Sequence, residues 1–116
     1  MSELRHSIEL FNREEFFVCH EELEMIWTRE RGPRRRFLQA LIHFAVAFYH
    51  DSRANPVGAS RQLRKGLRKL QPYLPNCEGI DTARLYREGL AAVERTESGE
   101  RVGTYPRIHL VFTAKV

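Results

Sequence analysis

An all-α fold is predicted by three features of the sequence. Apolar residues recur at three- and four-residue spacing along most of the chain, the breaks between such stretches carry caps and prolines, and only one short segment alternates with a period of two. The 116 residues suffice for one domain, expected to span 1–116, and 42% hydrophobic with 29% charged residues is globular usage rather than that of a disordered chain.

The elements follow in order. A short first helix is expected over about 3–11. Asn12 followed by Glu15 has capping-box spacing and is expected to open a second helix running to about Arg29. Gly32 stops that helix and Pro33 starts a third, reaching about Asp51. Asn55-Pro56, a cap followed by a first-turn proline, opens a fourth that ends near Leu70, where Pro72 and Pro75 bar continuation. Asp81 caps a fifth, which extends to about Glu97 before Gly99. Ile108, Leu110 and Phe112 then alternate with Arg107, His109 and Val111 in a strand-like pattern that has no clear strand partner elsewhere. The expected architecture is a compact array of about five helices built from antiparallel hairpins. An extended C-terminal tail should lie over a helical groove or reach a second subunit.

Cys19 and Cys77 are far apart and form neither a C-x-x-C pair nor a disulfide framework, so a reduced, cytoplasmic setting is expected. Charged residues in the first ten positions leave no apolar core for a secretory signal. The longest clean apolar run, from Phe44 to Tyr49, falls far short of the ~20 residues that span a bilayer. Neither export nor membrane insertion is expected. A net charge of +4 brings acidic partners and nucleic acid into consideration.

The second helix carries the most informative pattern. At ~100° per residue, Phe16, Phe17, His20, Leu23, Glu24 and Trp27 fall on one face, with His20 and Glu24 at its centre. The third helix is apolar nearly all round, which marks it as the central one, and its polar residues Arg36, Gln39, His43 and His50 form one stripe. A short connection makes the two helices an antiparallel hairpin with Trp27 level with Arg36, Glu24 with Gln39 and His20 with His43. The expectation is a buried or cleft-lining polar seam of His20, Glu24, Arg36, Gln39 and His43, with His50 at its far end and Glu21 on its flank. Such a seam is either a satisfied hydrogen-bond network that sets helix register, or a site. A site would use a histidine poised by a carboxylate, or His20, Glu24 and His43 as a metal triad.

These residues are also where the chain resembles a known family. Phe11-Asn12, Phe16-Phe17, Cys19-His20-Glu21, Leu23-Glu24, Trp27, Gly32-Pro33, Arg36, Phe37-Leu38-Gln39, Leu41-Ile42, Ala45, Tyr49-His50, Asn55-Pro56, Gly58-Ala59 and Gly66-Leu67 resemble, in order and spacing, the prokaryotic domain of unknown function 309 family. The resemblance covers about residues 10–70 and is loose beyond them. Cys19 stands where many members carry alanine. It implies an all-helical fold and marks His20, Glu21, Glu24, Trp27, Arg36, Gln39 and His50 as a signature, without implying an activity or a cofactor.

Three functions fit the residues. A binding or interaction module, with a protein partner or a second copy of the chain, follows from two helical hairpins and a fifth helix that resemble a pair of tetratricopeptide-like units. An enzyme using the seam follows from its histidines, by acid–base or metal-assisted hydrolysis; the Arg36-x6-His43 spacing resembles helical ribonucleases of the HEPN type. Nucleic-acid binding rests on Arg61, Arg64, Lys65, Arg68 and Lys69 in the fourth helix and on Arg31, Arg34 and Arg35 at the hairpin turn, although no aromatic residue interleaves with them to stack bases. No cofactor is expected, and no glycine-rich loop is present to cradle phosphate. His6 and His109 are expected at the surface, and Gly58 and Gly66 at close helix contacts.

Overall fold

In the computed structural model, residues 2–111 are described, with side chains from Leu4 onward. Five α-helices follow one another: α1 Ser2–Asn12, α2 Phe16–Arg29, α3 Arg35–Ser52, α4 Pro56–Leu70 and α5 Thr82–Glu97, with a 3-10 turn Gln71–Tyr73 after α4. The all-α expectation is met. Among the described residues, no helix is long and apolar enough to cross a membrane.

α3 is central, as its all-round apolar pattern predicts. Phe37, Phe44 and Phe48 are wholly buried, each worth about 1.5–3 kcal/mol of side-chain burial. α2 and α4 pack on either side of it, α1 on α2 and α5 on α4. The close approach of α4 depends on glycine. A Cβ at Gly66 would lie 2.7 Å from Phe44 Cδ1, and one at Gly58 would lie 3.0 Å from His50 Cγ. Gly89 of α5 meets the same Phe44 ring from its other end, 2.8 Å from Cε2 to an added Cβ.

Two helix starts match their expected caps: Asn55 Oδ1 accepts from Gly58 N and Asp81 Oδ1 from Arg84 N, both at 3.0 Å. Two differ. Asn12 does not cap α2; it ends α1, and α2 begins at Phe16 after a turn in which Glu14 has φ 64°. The Asn12 carboxamide is instead spent on the tail, where Oδ1 accepts from Ile108 N at 2.7 Å and Nδ2 donates to Ile108 O at 3.0 Å. Pro33 does not start α3, because a turn joining Arg35 N to Gly32 O (3.2 Å) intervenes.

The tail lies extended over the helices, as one of the two expectations has it. It also has a strand partner after all: Ile80 pairs with Leu110 in an antiparallel bridge, with Asp81 N donating to His109 O and Val111 N to Gly79 O, both at 2.8 Å. That partner lies in a loop whose sequence shows no period-two pattern. Val102, Pro106 and Ile108 are buried beneath the tail, while Leu110 is exposed and Phe112 lies outside the described residues.

Candidate functional site

Along α3 from Arg36 to His50, solvent reaches only Arg36, Gln39, His43, Val46, Tyr49 and His50. At ~100° per residue these form one stripe between the side facing α2 and the side facing α4. The stripe is therefore the floor of a shallow groove, with one edge of α2 and one edge of α4 as walls. It is half-buried rather than sealed.

The α2 wall holds Phe17, His20, Glu24 and Trp27. The buried stripe of α2 is Phe16, Cys19, Leu23 and Ile26, so the helix is turned by roughly 70° from the orientation expected from its hairpin with α3 alone. α1 supplies the reason. Cys19 Sγ donates to Ser7 O at 3.3 Å, and Leu4, Ile8 and Phe11 are buried beside it, so α2 buries the face that bisects its two neighbours. Phe17 and Glu24 are consequently exposed, and His20 and Trp27 lie half-buried at the rim.

The seam residues divide between the two walls. His20 Nδ1 donates to Phe17 O at 2.9 Å, and its Nε2 is 3.6 Å from Glu24 Oε1, an exposed i,i+4 contact. Phe17 stacks obliquely on both His20 and Tyr49, at 5.3 Å between centroids in each case, which ties the wall to the floor. Trp27 carries Arg35 3.9 Å above its ring, and Arg35 Nη1 donates to the carbonyls of Trp27 and Glu30 at the end of α2. The Trp27 indole N–H is buried without a hydrogen-bond partner among the described residues. Glu21 is not on the groove; it stands on the outer surface beside Val18 and Met25.

His43 turns to α4, not to His20. Its Nε2 lies 3.1 Å from Lys69 Nζ and its Nδ1 lies 2.7 Å from Gln62 Oε1. A lysine ammonium can only donate, so Nε2 accepts, the ring proton sits on Nδ1, and Gln62 Oε1 accepts it. Burial holds the His43 imidazole below its ordinary pKa, against the Gln62 hydrogen bond, and the charges of Lys69, Lys65 and Arg68 push it further down. Lys69 is depressed too, by burial and then by Arg36, Lys65 and Arg68. None of Arg36, Lys65, Arg68 and Lys69 has a carboxylate partner among the described residues, whereas Arg34 is held by Glu30 and Glu78 and Arg64 by Glu97. At the far end His50 meets Asn55, at 3.4 Å.

The His20, Glu24 and His43 triad is therefore not assembled. Among the described residues no three His, Cys, Asp or Glu side chains are placed to hold a metal ion. Both ring nitrogens of His43 are engaged, Nε2 by Lys69 and Nδ1 by Gln62. The groove presents Phe17, His20, Glu24 and Trp27 on its α2 side, a polar floor, and Gln62 and Lys69 on its α4 side, with Lys65 and Arg68 close enough to act on His43 through their charge.

Sequence reasoning saw the polar floor but named Lys69 only among the basic residues of the fourth helix, and did not place it or Gln62 at His43. It also missed Asp51, which is 1% exposed at the end of α3 and accepts from Val102 N at 2.9 Å, Tyr105 Oη at 2.6 Å and Arg101 Nε at 3.4 Å. Asp51 continues the buried Phe37, Phe44 and Phe48 stripe, and that register was the available signal.

A family model described as a domain of unknown function (DUF309) matches residues 4–62, just over half the chain. The chain belongs to that family. The match takes in α1 from Leu4, of which the sequence resemblance included only the end, and stops at Gln62 within α4. The chain is 35% identical over 94 residues to the uncharacterized protein YpuF of Bacillus subtilis (strain 168), a stretch covering 78% of this chain and 54% of that protein. The chain thus spans about half the length of this curated relative. The DUF309 match encloses the whole groove floor and the α2 wall, together with Gln62; Lys65, Arg68 and Lys69 lie beyond it.

Proposed function

We propose that this DUF309 chain is a non-enzymatic binding module whose groove over α3 takes an acidic segment of a protein partner. The observation that carries the reading is the cluster of Arg36, Lys65, Arg68 and Lys69 around His43, none of them paired with a carboxylate among the described residues. These like charges, Arg36 on the floor and Lys65, Arg68 and Lys69 on α4, repel one another, and an anionic ligand relieves that repulsion. The opposite end supplies apolar surface through Phe17, Val46 and Tyr49, so the preferred segment carries apolar side chains followed by acidic ones. A broad nucleic-acid face is less well supported, because Arg34, Arg35 and Arg64 of the basic set are already tied to groups within the chain.

The test is fluorescence anisotropy of a labelled peptide of leucines and glutamates against the full chain, with a single-stranded oligonucleotide of equal charge as competitor. The lone tryptophan, Trp27 on the α2 wall, gives a second readout. Salt-dependent peptide binding that shifts Trp27 emission is expected, weakened about tenfold or more by Lys65→Glu with Arg68→Glu. Arg87→Glu, which reverses an exposed charge on α5, should leave it unchanged. Equal binding by the double variant would sink the reading, and preference for the oligonucleotide would replace it with the nucleic-acid one.

A further inference from the structure

A cleft of about 410 Å³ opens on the opposite part of the molecule, between α5 and the tail. That volume is within the ~300–1,000 Å³ usual for small-molecule sites. Its floor is apolar, made by Ala91 and Ala92 of α5 and by Val102, Tyr105 and Pro106 of the tail. Two successive alanines on α5 leave the space open. Its rim carries Arg84 and Arg95 from α5 and Arg107 from the tail, with Glu88 the one carboxylate among the lining residues and Glu100 close to Arg95.

The rim charges are not equally committed. Arg84 Nε is held by Glu88 at 3.2 Å. Arg95 Nε donates to Arg101 O at 2.9 Å, with Glu100 3.9 Å from its Nη1, so its other guanidinium nitrogens are largely unspent. Arg107 has no carboxylate partner among the described residues. His109 also lines the cleft, and its carbonyl is taken by Asp81 N.

We propose that this cleft is a binding site for a small amphipathic anion, a carboxylate or phosphate headgroup on an apolar body. The body lies on Ala91, Ala92 and Tyr105 and the headgroup bridges Arg95 and Arg107. Because one arginine belongs to α5 and the other to the tail, the ligand fastens the tail to the helix, and binding raises the free energy of tail release by mass action. The site is independent of the groove over α3, and its ligand differs in kind.

The experiment is a titration of the isotopically labelled full chain with octanoate, octyl phosphate and octanol, followed by amide chemical shifts and by thermal melting. Saturable shifts at Ala91, Ala92 and Tyr105 with either anion, a raised melting temperature and no response to octanol are expected. Octyl phosphate alone succeeding would assign a phosphate headgroup, and both succeeding would show that a carboxylate suffices. Arg107→Gln should weaken binding about tenfold or more, the worth of a charge-assisted hydrogen bond. Ala91→Trp should abolish it while the Val102 amide, hydrogen-bonded to Asp51, keeps its native shift; if that variant fails to fold, Arg107→Gln carries the test. The proposal is overturned if neither anion binds at millimolar concentration, if octanol binds as well as octanoate, if Arg107→Gln binds unchanged, or if the shifts fall at Lys65 and Arg68 instead.

Discussion

The Asp51 carboxylate accepts a 2.6 Å hydrogen bond from the Tyr105 hydroxyl, joining the end of α3 to a tail residue 54 positions away. The bond is a buried one at the carboxylate end. Tyr105→Phe should lower stability by about 1–3 kcal/mol, and Asp51→Ala by more, because the buried Val102 N and the Tyr105 hydroxyl both lose their acceptor. Urea denaturation measures both, and faster exchange of the Val102 amide should accompany them. Burial, and then the bond to Asp51, raise the Tyr105 phenol to about 12, so the fold favours the neutral form. This contribution is complete below about pH 10 and lost as pH rises toward the folded value.

His43 makes stability depend on pH in the other direction. Its folded pKa is lowered, so as pH falls the unfolded chain takes up the proton first. The contribution is full above about 6.5 and declines as pH falls through that value toward the folded one. His43→Gln should flatten that part of the profile, and urea midpoints at about pH 7.5 and about pH 5.5 decide it. An unchanged slope would place the titration elsewhere.

Gly66→Ala should be destabilising, although alanine is the better helix former by about 1 kcal/mol. The added Cβ would lie 2.7 and 2.9 Å from two atoms of the Phe44 ring, which Gly89 blocks from retreating. Overpacking of this kind costs about 1–3 kcal/mol. A net loss, with shifted Phe44 ring resonances, is the expected result; a gain in melting temperature would show that the ring can give way.

Cys19 should be inert. Burial, aided by Glu22, lifts its thiol to about 12, and Sγ is engaged with Ser7 O. At about pH 8 the thiolate is then on the order of one part in ten thousand, so an aromatic disulfide reagent should label the half-buried Cys77 well before Cys19. In denaturant both should react together.

The helices were legible because apolar spacing and the Asn55 and Asp81 caps act locally. The groove floor was legible for the same reason: Arg36, Gln39, His43 and His50 stand out from an apolar helix. The facing of α2 was not, since it depends on how α1 divides the apolar surface with α3, and periodicity within one helix does not state how many neighbours it has. Asn12 illustrates the limit: its local spacing suggests a cap, and a residue 96 positions away claims its carboxamide instead. His43 likewise took its partners from α4, where Gln62 and Lys69 look like ordinary surface residues until the helix is brought close.

That closeness has a consequence for selectivity. Gly58 and Gly66 let α4 rest against α3 through backbone rather than side chain, at the two places where His50 and His43 line the floor. The span between the walls is thus gauged by two hydrogen atoms. A single methyl at either position would meet His43 or His50 and push α4 outward, changing the girth of the segment that the proposed groove would admit.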